Sequence, residues 1–418
     1  MNIAFVVPII LEKEQIIKKK LAVNIAFVVP RYGEDILGGA ESLARAVAEH
    51  LNKNNVNVEV LTTCAKDHFT WDNYYKPGVY NINGVTVRKF VVNERNSRLY
   101  DEINVKIGTN QVVSEEEEQK WIKESVNSNQ LLNHIGENCE NYDFLIFIPW
   151  VFGTTYWGLN ICPEKSLLIP CLDTSPYARL KIYKDMFKKC KGLIFNAEPE
   201  RDLAKNYFDV KNTKNAIIGM GFDTEISPDG ERFRIKYNIK NRFMLYVGRR
   251  EYGKNTHLLI EYFCKFKEKN NTDLKLVLIG GGHIDIPGKH KNDIVVKDFV
   301  PEQDKFDAFA ASIISCQPSM NESLSMVMME SWACRTPVLV HEDCNVTKDH
   351  CVKSNGGLYF KNYDEFEEGI NFFIKNPALR DKMGDNGRKY VLNNYSWEVV
   401  LKKFNYIFSE WREGNDRD

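Results

Sequence analysis

Residues 243–282 read FMLYVGRREYGKNTHLLIEYFCKFKEKNNTDLKLVLIGGG. Phe243–Val247 and Leu274–Ile279 are apolar runs of strand length. Between them, Asn255–Lys269 spaces its apolar residues at helical intervals. Glycine follows each apolar run, at Gly248 and at Gly280–Gly282. A strand, a helix and a strand in this order imply parallel strands covered by helices.

The same alternation extends in both directions. Upstream, short β-branched runs fall at Val56–Leu61, Val85–Val91, Phe144–Ile148, Leu167–Pro170, Gly192–Phe195 and Asn215–Ile218. Helical patterns lie among them at Glu41–Leu51, Glu115–Leu132, Tyr177–Lys189 and Pro199–Tyr207. Downstream come strands at Ile313–Gln317 and Val338–Val340, with helices near Glu302–Ala311, Met326–Ala333, Tyr363–Lys375 and Pro377–Asn393. Two such series predict an α/β protein of two Rossmann-like domains. Gly219, Gly221, Pro228 and Gly230 cluster at the junction. The expected division is 23–220 for the first domain and 221–395 for the second. A last helix over 396–418 is expected to return to the first domain. The segment NIAFVVP occurs twice, at 2–8 and 24–30. Only the second copy runs into Gly38-Gly39-Ala40-Glu41, so it is read as the first core strand and 1–22 as an appended segment.

Composition narrows the function. The 418 residues are 43% hydrophobic, enough for large cores. Lys plus Arg is 56 and Asp plus Glu is 57, so a bulk attraction to nucleic acid is not expected. Ten cysteines form no C-x-x-C pair, which removes support for zinc, iron–sulfur or thioredoxin chemistry. They are expected to be small buried hydrophobes in a reducing compartment rather than a disulfide framework. The longest apolar stretch, 144–153, is too short to span a bilayer and contains Pro149. Lys18–Lys20 follow the apolar start, the reverse of a signal peptide's order. A cytoplasmic location is expected, with peripheral contact at the inner membrane face left open.

Chemistry concentrates in residues 318–337, PSMNESLSMVMMESWACRTP. Glu322 falls in the loop after a strand, with Ser323 or Ser325 as helix N-cap, and Glu330 falls within the helix. A carboxylate is a bidentate acceptor for vicinal hydroxyls. Helix-start amides beside it favour an anion. The spacing alone also fits an exposed helix start. Gly248-Arg249-Arg250 and Lys254 place cations at a strand's carboxyl end, which suits a phosphate or diphosphate. The Gly38-Gly39 pair precedes a helix and could admit a phosphate, or serve packing alone. Gly280–Gly282 is not G-x-G-x-x-G, which lowers a dinucleotide reading. Asp173 and Trp150 follow strands and are candidates for the acceptor side.

Taken in order, these residues resemble the glycosyltransferases of family 4, retaining enzymes of the GT-B fold. The resemblance runs from about Val23 onward. It is carried by GGAE at 38–41, YVGR at 246–249 with Lys254, LVLIGGG at 276–282, DFVP at 298–301, Glu322 and Glu330, and ACRTPV at 333–338. The resemblance implies two Rossmann-like domains with parallel sheets facing across a cleft. It implies a donor nucleotide-sugar, a UDP- or GDP-sugar, held by the second domain, and a glycan or lipid-linked acceptor held by the first. Arg249 and Lys254 would contact the diphosphate, Glu330 the ribose, and Glu322 the transferred sugar with the Ser323, Leu324 and Ser325 amides nearby. Gly38 and Gly39 would approach the phosphate, and backbone at Phe299 and Val300 would meet the base. No metal or other cofactor is expected. Two departures stand out: Ser323-Leu324-Ser325 replaces the family's frequent Gly-Phe-Gly, and Pro149-Trp150 stands where a histidine is frequent. The alternatives are a nucleotide-sugar 2-epimerase of the same fold and a non-catalytic nucleotide- or glycan-binding module. A dehydrogenase is a distant third.

Overall fold

The computed structural model describes residues 23–36 and 38–412. The first NIAFVVP copy and the segment 1–22 lie outside the described residues. The described chain forms two compact units, 23–195 with 204–218 and 401–412, and 196–203 with 219–400.

In the first unit the strands are β1 Asn24–Val28, β2 Asn57–Thr63, β3 Gly78–Ile82, β4 Val85–Phe90, β5 Phe144–Phe147, β6 Ser166–Leu168, β7 Gly192–Phe195 and β8 Lys214–Ile217. Their order is β3-β4-β2-β1-β5-β6-β7-β8. The second NIAFVVP copy is therefore a central strand, paired in parallel with β2 and β5. It is apolar on both faces, as a strand covered on both sides must be, and Ala26, Phe27 and Val28 are fully buried. The sheet is not wholly parallel. β3 joins β4 as an antiparallel hairpin edge. The sequence reading missed β3 because its side chains are mostly exposed and carry no alternation.

The second unit holds β9 Phe243–Val247, β10 Lys275–Ile279, β11 Ile294–Lys297, β12 Ile314–Gln317, β13 Val338–His341 and β14 Gly357–Phe360. All pair in parallel, in the order β11-β10-β9-β12-β13-β14. The chain leaves β9 toward β10 and β11, then crosses back to β12 on the other side. β9 and β12 thus border the topological switch point, where open α/β sheets bind ligands beyond their carboxyl ends. One core cluster packs Tyr246, Phe263, Leu276, Phe360 and Phe366. The edge strands β11 and β14 escaped the sequence reading because their side chains are mostly half-exposed and form no continuous apolar run.

Local chemistry explains where helices stop. The single helix expected over Glu115–Leu132 is two, Glu115–Lys123 and Asn129–Asn138. Ser114 and Glu117 form a reciprocal capping box on the first, and Ser128 caps the second from within the expected span. The residues 196–203, read with the first domain, group with the second unit. There Ala197 packs with Cys344 and Val346. Cys139 and Cys162 form a disulfide, against the expectation of unpaired cysteines. Of the remaining eight, all but the half-buried Cys171 are buried. Among the described residues, no helix is long and apolar enough to cross a membrane.

The C-terminal helix, Trp397–Arg412, begins in the second unit and ends in the first. Its far end packs on the first sheet. Phe408 stacks on Phe144 at 5.4 Å, and Arg412 pairs with Asp143 at 3.0 Å. A Cβ on Gly192 would sit 2.5 Å from the Trp411 ring, so this glycine makes room for the indole. Trp411→Ala should cost the first unit about 3–5 kcal/mol, the range for deleting a buried aromatic. Thermal denaturation checks this, and an unchanged melting temperature refutes the packing role.

Candidate functional site

The loops after β9 and β10 are zipped together. Gly248 N–H donates to Ile279 O at 2.9 Å, and Arg250 N–H donates to Gly281 O at 2.8 Å. A Cβ on Gly280 would lie 2.2 Å from Gly248 O, and one on Gly282 would lie 2.6 Å from Arg250 O. Both glycines also hold positive φ, 132° and 103°. The triplet is therefore explained by close approach of two backbones. The Arg250 side chain completes the union. It donates to Gly282 O at 2.8 Å, to Lys297 O at 3.0 Å, to Gly280 O and to the Asp298 carboxylate at 2.8 Å. Arg250 is buried, whereas the Arg249 side chain is 59% exposed and pairs with Glu251 at 3.1 Å. The two arginines thus have opposite fates: Arg250 holds the scaffold and Arg249 is presented to solvent.

Across the switch point the structure joins Lys254 to Glu322. Lys254 Nζ donates to Glu322 Oε1 at 2.8 Å, linking the loops after β9 and β12. Both side chains are largely covered, at 29% and 16% exposure. Beside them Asn255 Nδ2 donates to Pro318 O at 3.0 Å, a second tie between the same loops.

Helix Met326–Ala333 starts from Ser325, not Ser323, as N-cap. Ser325 adopts φ 65° and its side chain makes no cap hydrogen bond. The first helical amides are thereby left without the usual side-chain acceptor. Leu324 is buried. Beyond the helix, Arg335 also takes a left-handed φ of 62°. Its guanidinium pairs with Asp385. Two non-glycine residues thus occupy left-handed backbone at the two ends of this helix.

Glu330 points to a partner the sequence reading missed. Lys305 Nζ donates to Glu330 Oε1 at 2.7 Å from helix Glu302–Ala311. Burial pushes the Glu330 carboxyl above the usual range, and Lys305 opposes that rise. No spacing rule links the two, because they sit on separate helices flanking β12. Phe299 is 69% exposed, and a Cβ on Gly281 would lie 2.9 Å from its ring. Val300 is half-buried against a further core cluster that includes Phe233, Phe243 and Ile279.

In the first unit, Gly38 is the N-cap of helix Gly39–Lys53. Its extended φ needs no glycine, but a Cβ there would lie 2.2 Å from the Glu41 carboxylate. Gly39 has open space around it. Glu41 is buried and held by Arg31, whose Nε donates at 3.0 Å and whose Nη2 bonds the same oxygen. The Arg31–Glu41 pair explains the acidic end of the glycine loop and was not foreseen. Trp150 corrects the sequence reading. It is 3% exposed and packs edge-on against Tyr183 at 4.5 Å, so its ring is core rather than a sugar platform. Asp173 Oδ1 accepts from Ser175 N–H at 3.0 Å, a local turn bond.

Comparison with known proteins bears on this geometry. Residues 229–390 match the family model described as glycosyl transferases group 1, a span inside the second unit. An uncharacterized glycosyltransferase of Methanocaldococcus jannaschii is 24% identical over 404 residues, covering 91% of this chain and 96% of that protein. Sucrose-phosphate synthase from Thermosynechococcus elongatus superposes with a TM-score of 0.67 at 14% identity, over 93% of this chain and 98% of that one. HepE from Anabaena, solved in complex with UDP, does so at 0.67 and 14%, over 93% and 100%. The fold is of the GT-B type, with two Rossmann-like α/β units. The chain is similar to glycosyltransferases at this level.

Two predictions follow from the loops. Arg250→Ala strands buried carbonyl oxygens, each costing about 1–3 kcal/mol, so the second unit should lose about 3 kcal/mol or more. Arg249→Ala should leave the melting temperature unchanged, and equal loss in both variants would refute the division of roles. Ser325→Gly should stabilise by up to about 1 kcal/mol, the relief of left-handed strain less glycine's entropic cost. A lower melting temperature for Ser325→Gly would show that the hydroxyl, not the backbone, matters there.

Proposed function

We propose that the chain is a retaining glycosyltransferase of the family 4 type. It moves a hexose from a UDP- or GDP-sugar to a glycan or lipid-linked acceptor in surface polysaccharide or glycoconjugate synthesis. The observation that carries this reading is the Lys254–Glu322 pair at the switch point, 2.8 Å long and drawn from loops after two different strands. A cation and a carboxylate in adjoining positions suit a sugar diphosphate, which offers charge at one end and hydroxyls at the other. The group 1 family match over 229–390 supports the same assignment.

In the proposed reaction the bond between sugar C1 and the diphosphate oxygen breaks. The electron pair leaves with the nucleoside diphosphate. The acceptor hydroxyl attacks C1 from the same face, and its proton passes to the leaving phosphate. Arg249, Lys254 and the amides after Ser325 stabilise the growing negative charge. Glu322 holds hydroxyls of the transferred sugar and Glu330 those of the ribose. The first unit binds the acceptor. The cations take the place of a metal, so transfer should survive a chelator.

A thermal-shift screen of UDP- and GDP-sugars, followed by product analysis, tests the assignment. Product NMR should show the donor's anomeric configuration kept. Altered sugar and free nucleotide released without acceptor would instead identify a 2-epimerase, and donor binding without turnover a binding module. Lys254→Ala or Arg249→Ala should cut kcat by about 10²–10³, because each acts on charge that grows in the transition state. Glu330→Ala should raise KM more than it lowers kcat, since ribose contacts are alike in both states. The reverse pattern would remove the mechanistic basis of the assignment.

A further inference from the structure

The pair formed by Lys305 and Glu330 reaches beyond that reading, on which it rests. Lys305 stands on helix Glu302–Ala311 and Glu330 on helix Met326–Ala333. The two side chains are about four-fifths covered, at 21% and 19% exposure. Their contact is a single charge-assisted bond, from Nζ to Oε1 at 2.7 Å. Such bonds are roughly twice as strong as neutral ones and fix the acceptor's orientation. The bond takes one carboxylate oxygen and leaves the other, Oε2, for a ligand.

We propose that Lys305 is the positioning residue of the donor site: its bond to one oxygen orients the Glu330 carboxylate so that the group can accept the ribose hydroxyls. An ionised carboxylate accepts at both oxygens, whereas a protonated one gives up part of that capacity. The surroundings work against ionisation. Burial disfavours the charged form, and Glu302 from the same helix as Lys305 adds like charge. The Cys334 thiol, at the end of Glu330's own helix, is also pushed up by burial and by Glu330. Asp307 is occupied by Arg232, which donates to Oδ1 at 2.6 Å. Arg388, from helix Pro377–Tyr395, spends its guanidinium on the carbonyls of Ala333 and Thr224. Among the described residues, Lys305 alone supplies a cation in direct contact with the Glu330 carboxylate.

The sign of the pH effect follows. Removing Lys305 removes an influence that lowers the Glu330 pKa, so protonation persists to higher pH. Ligand binding through the carboxylate is then weak at low pH and recovers as pH rises.

Calorimetric titration of the full chain with UDP and with GDP, from about pH 6 to about pH 9, tests this. The wild type should bind its nucleotide with nearly constant affinity. Lys305→Met, of similar length but uncharged, should bind about tenfold more weakly at the acid end and recover toward the basic end. Lys305→Arg should restore the flat profile. The same nucleotide without its ribose 2′- and 3′-hydroxyls should bind the wild type and Lys305→Met alike at every pH. A loss in Lys305→Met that is uniform across pH, or equal for the dideoxy nucleotide, would show only a structural contact and overturn the proposal. So would wild-type behaviour of Lys305→Met. Those outcomes leave the donor-site reading intact, whereas wild-type protein that binds neither UDP nor GDP overturns that reading and this proposal together.

Discussion

One guanidinium governs the carboxyl edge of the second unit's sheet. Arg250 gathers three carbonyl oxygens and a carboxylate from the segment after β10 and from the end of β11 and the residue beyond it. Loops at a sheet's carboxyl edge carry backbone polar groups that no ladder satisfies, and buried ones need partners. Here a single side chain with five donors in a fixed fork meets that need. Lysine could not, because it presents a point charge rather than a planar fork. The close packing this allows is what requires glycine at 280 and 282. With Arg250 turned inward, its neighbour Arg249 is left projecting outward from the same loop.

Much of this was legible. β9, helix Thr256–Lys269 and β10 could be read because fully buried parallel strands are apolar runs and the helix between them is amphipathic. Glu302–Ala311, Met326–Ala333 and Tyr363–Lys375 are found at their expected bounds. The placement of Glu322 beside Lys254 follows from chain order: a strand that crosses back past β9 must bring its following loop next to that of β9. What escaped was the pairing of buried side chains across a loop and between separate helices. Neither Arg31 with Glu41 nor Lys305 with Glu330 has a local signature, since burial and orientation decide such pairs. Trp150 misled for the opposite reason. Its place just past a strand suggested exposure, but Tyr183, Phe187 and Phe208 close around its ring. Arg250 was equally hard to place, because two adjacent arginines look alike until one is seen to be buried.

Two residues beside the paired carboxylates hold a backbone shape that glycine adopts freely. Ser325 and Arg335 occupy left-handed backbone at either end of one helix. Glycine would adopt these angles without strain, and L-residues hold them at a cost of about 1–2 kcal/mol each. At Arg335 the pair with Asp385 and the tight packing of Gly384 against the Arg335 carbonyl fix the turn. At Ser325 no side-chain cap hydrogen bond offsets the strain. The left-handed turn there directs the chain from the loop of Glu322 into the helix of Glu330. The backbone is held in a costly shape between the loop of Glu322 and the helix of Glu330, a strain that the surrounding structure must over-determine.

The charges at this edge are arranged in couples. Lys254 holds Glu322 and Lys305 holds Glu330, each through one oxygen. An unpaired charge in so covered a setting would carry a large desolvation penalty. Coupling avoids that penalty while the site is unliganded, yet leaves each carboxylate an oxygen with capacity to accept. The couples differ in what a sugar nucleotide would do to them. A diphosphate competes for Lys254, so its arrival loosens the first couple and frees Glu322 toward sugar hydroxyls. A ribose carries no charge and cannot displace Lys305, so the second couple persists. On the proposed reading, the first pair is an exchangeable contact that responds to the donor's charge, and the second is a fixed support that does not.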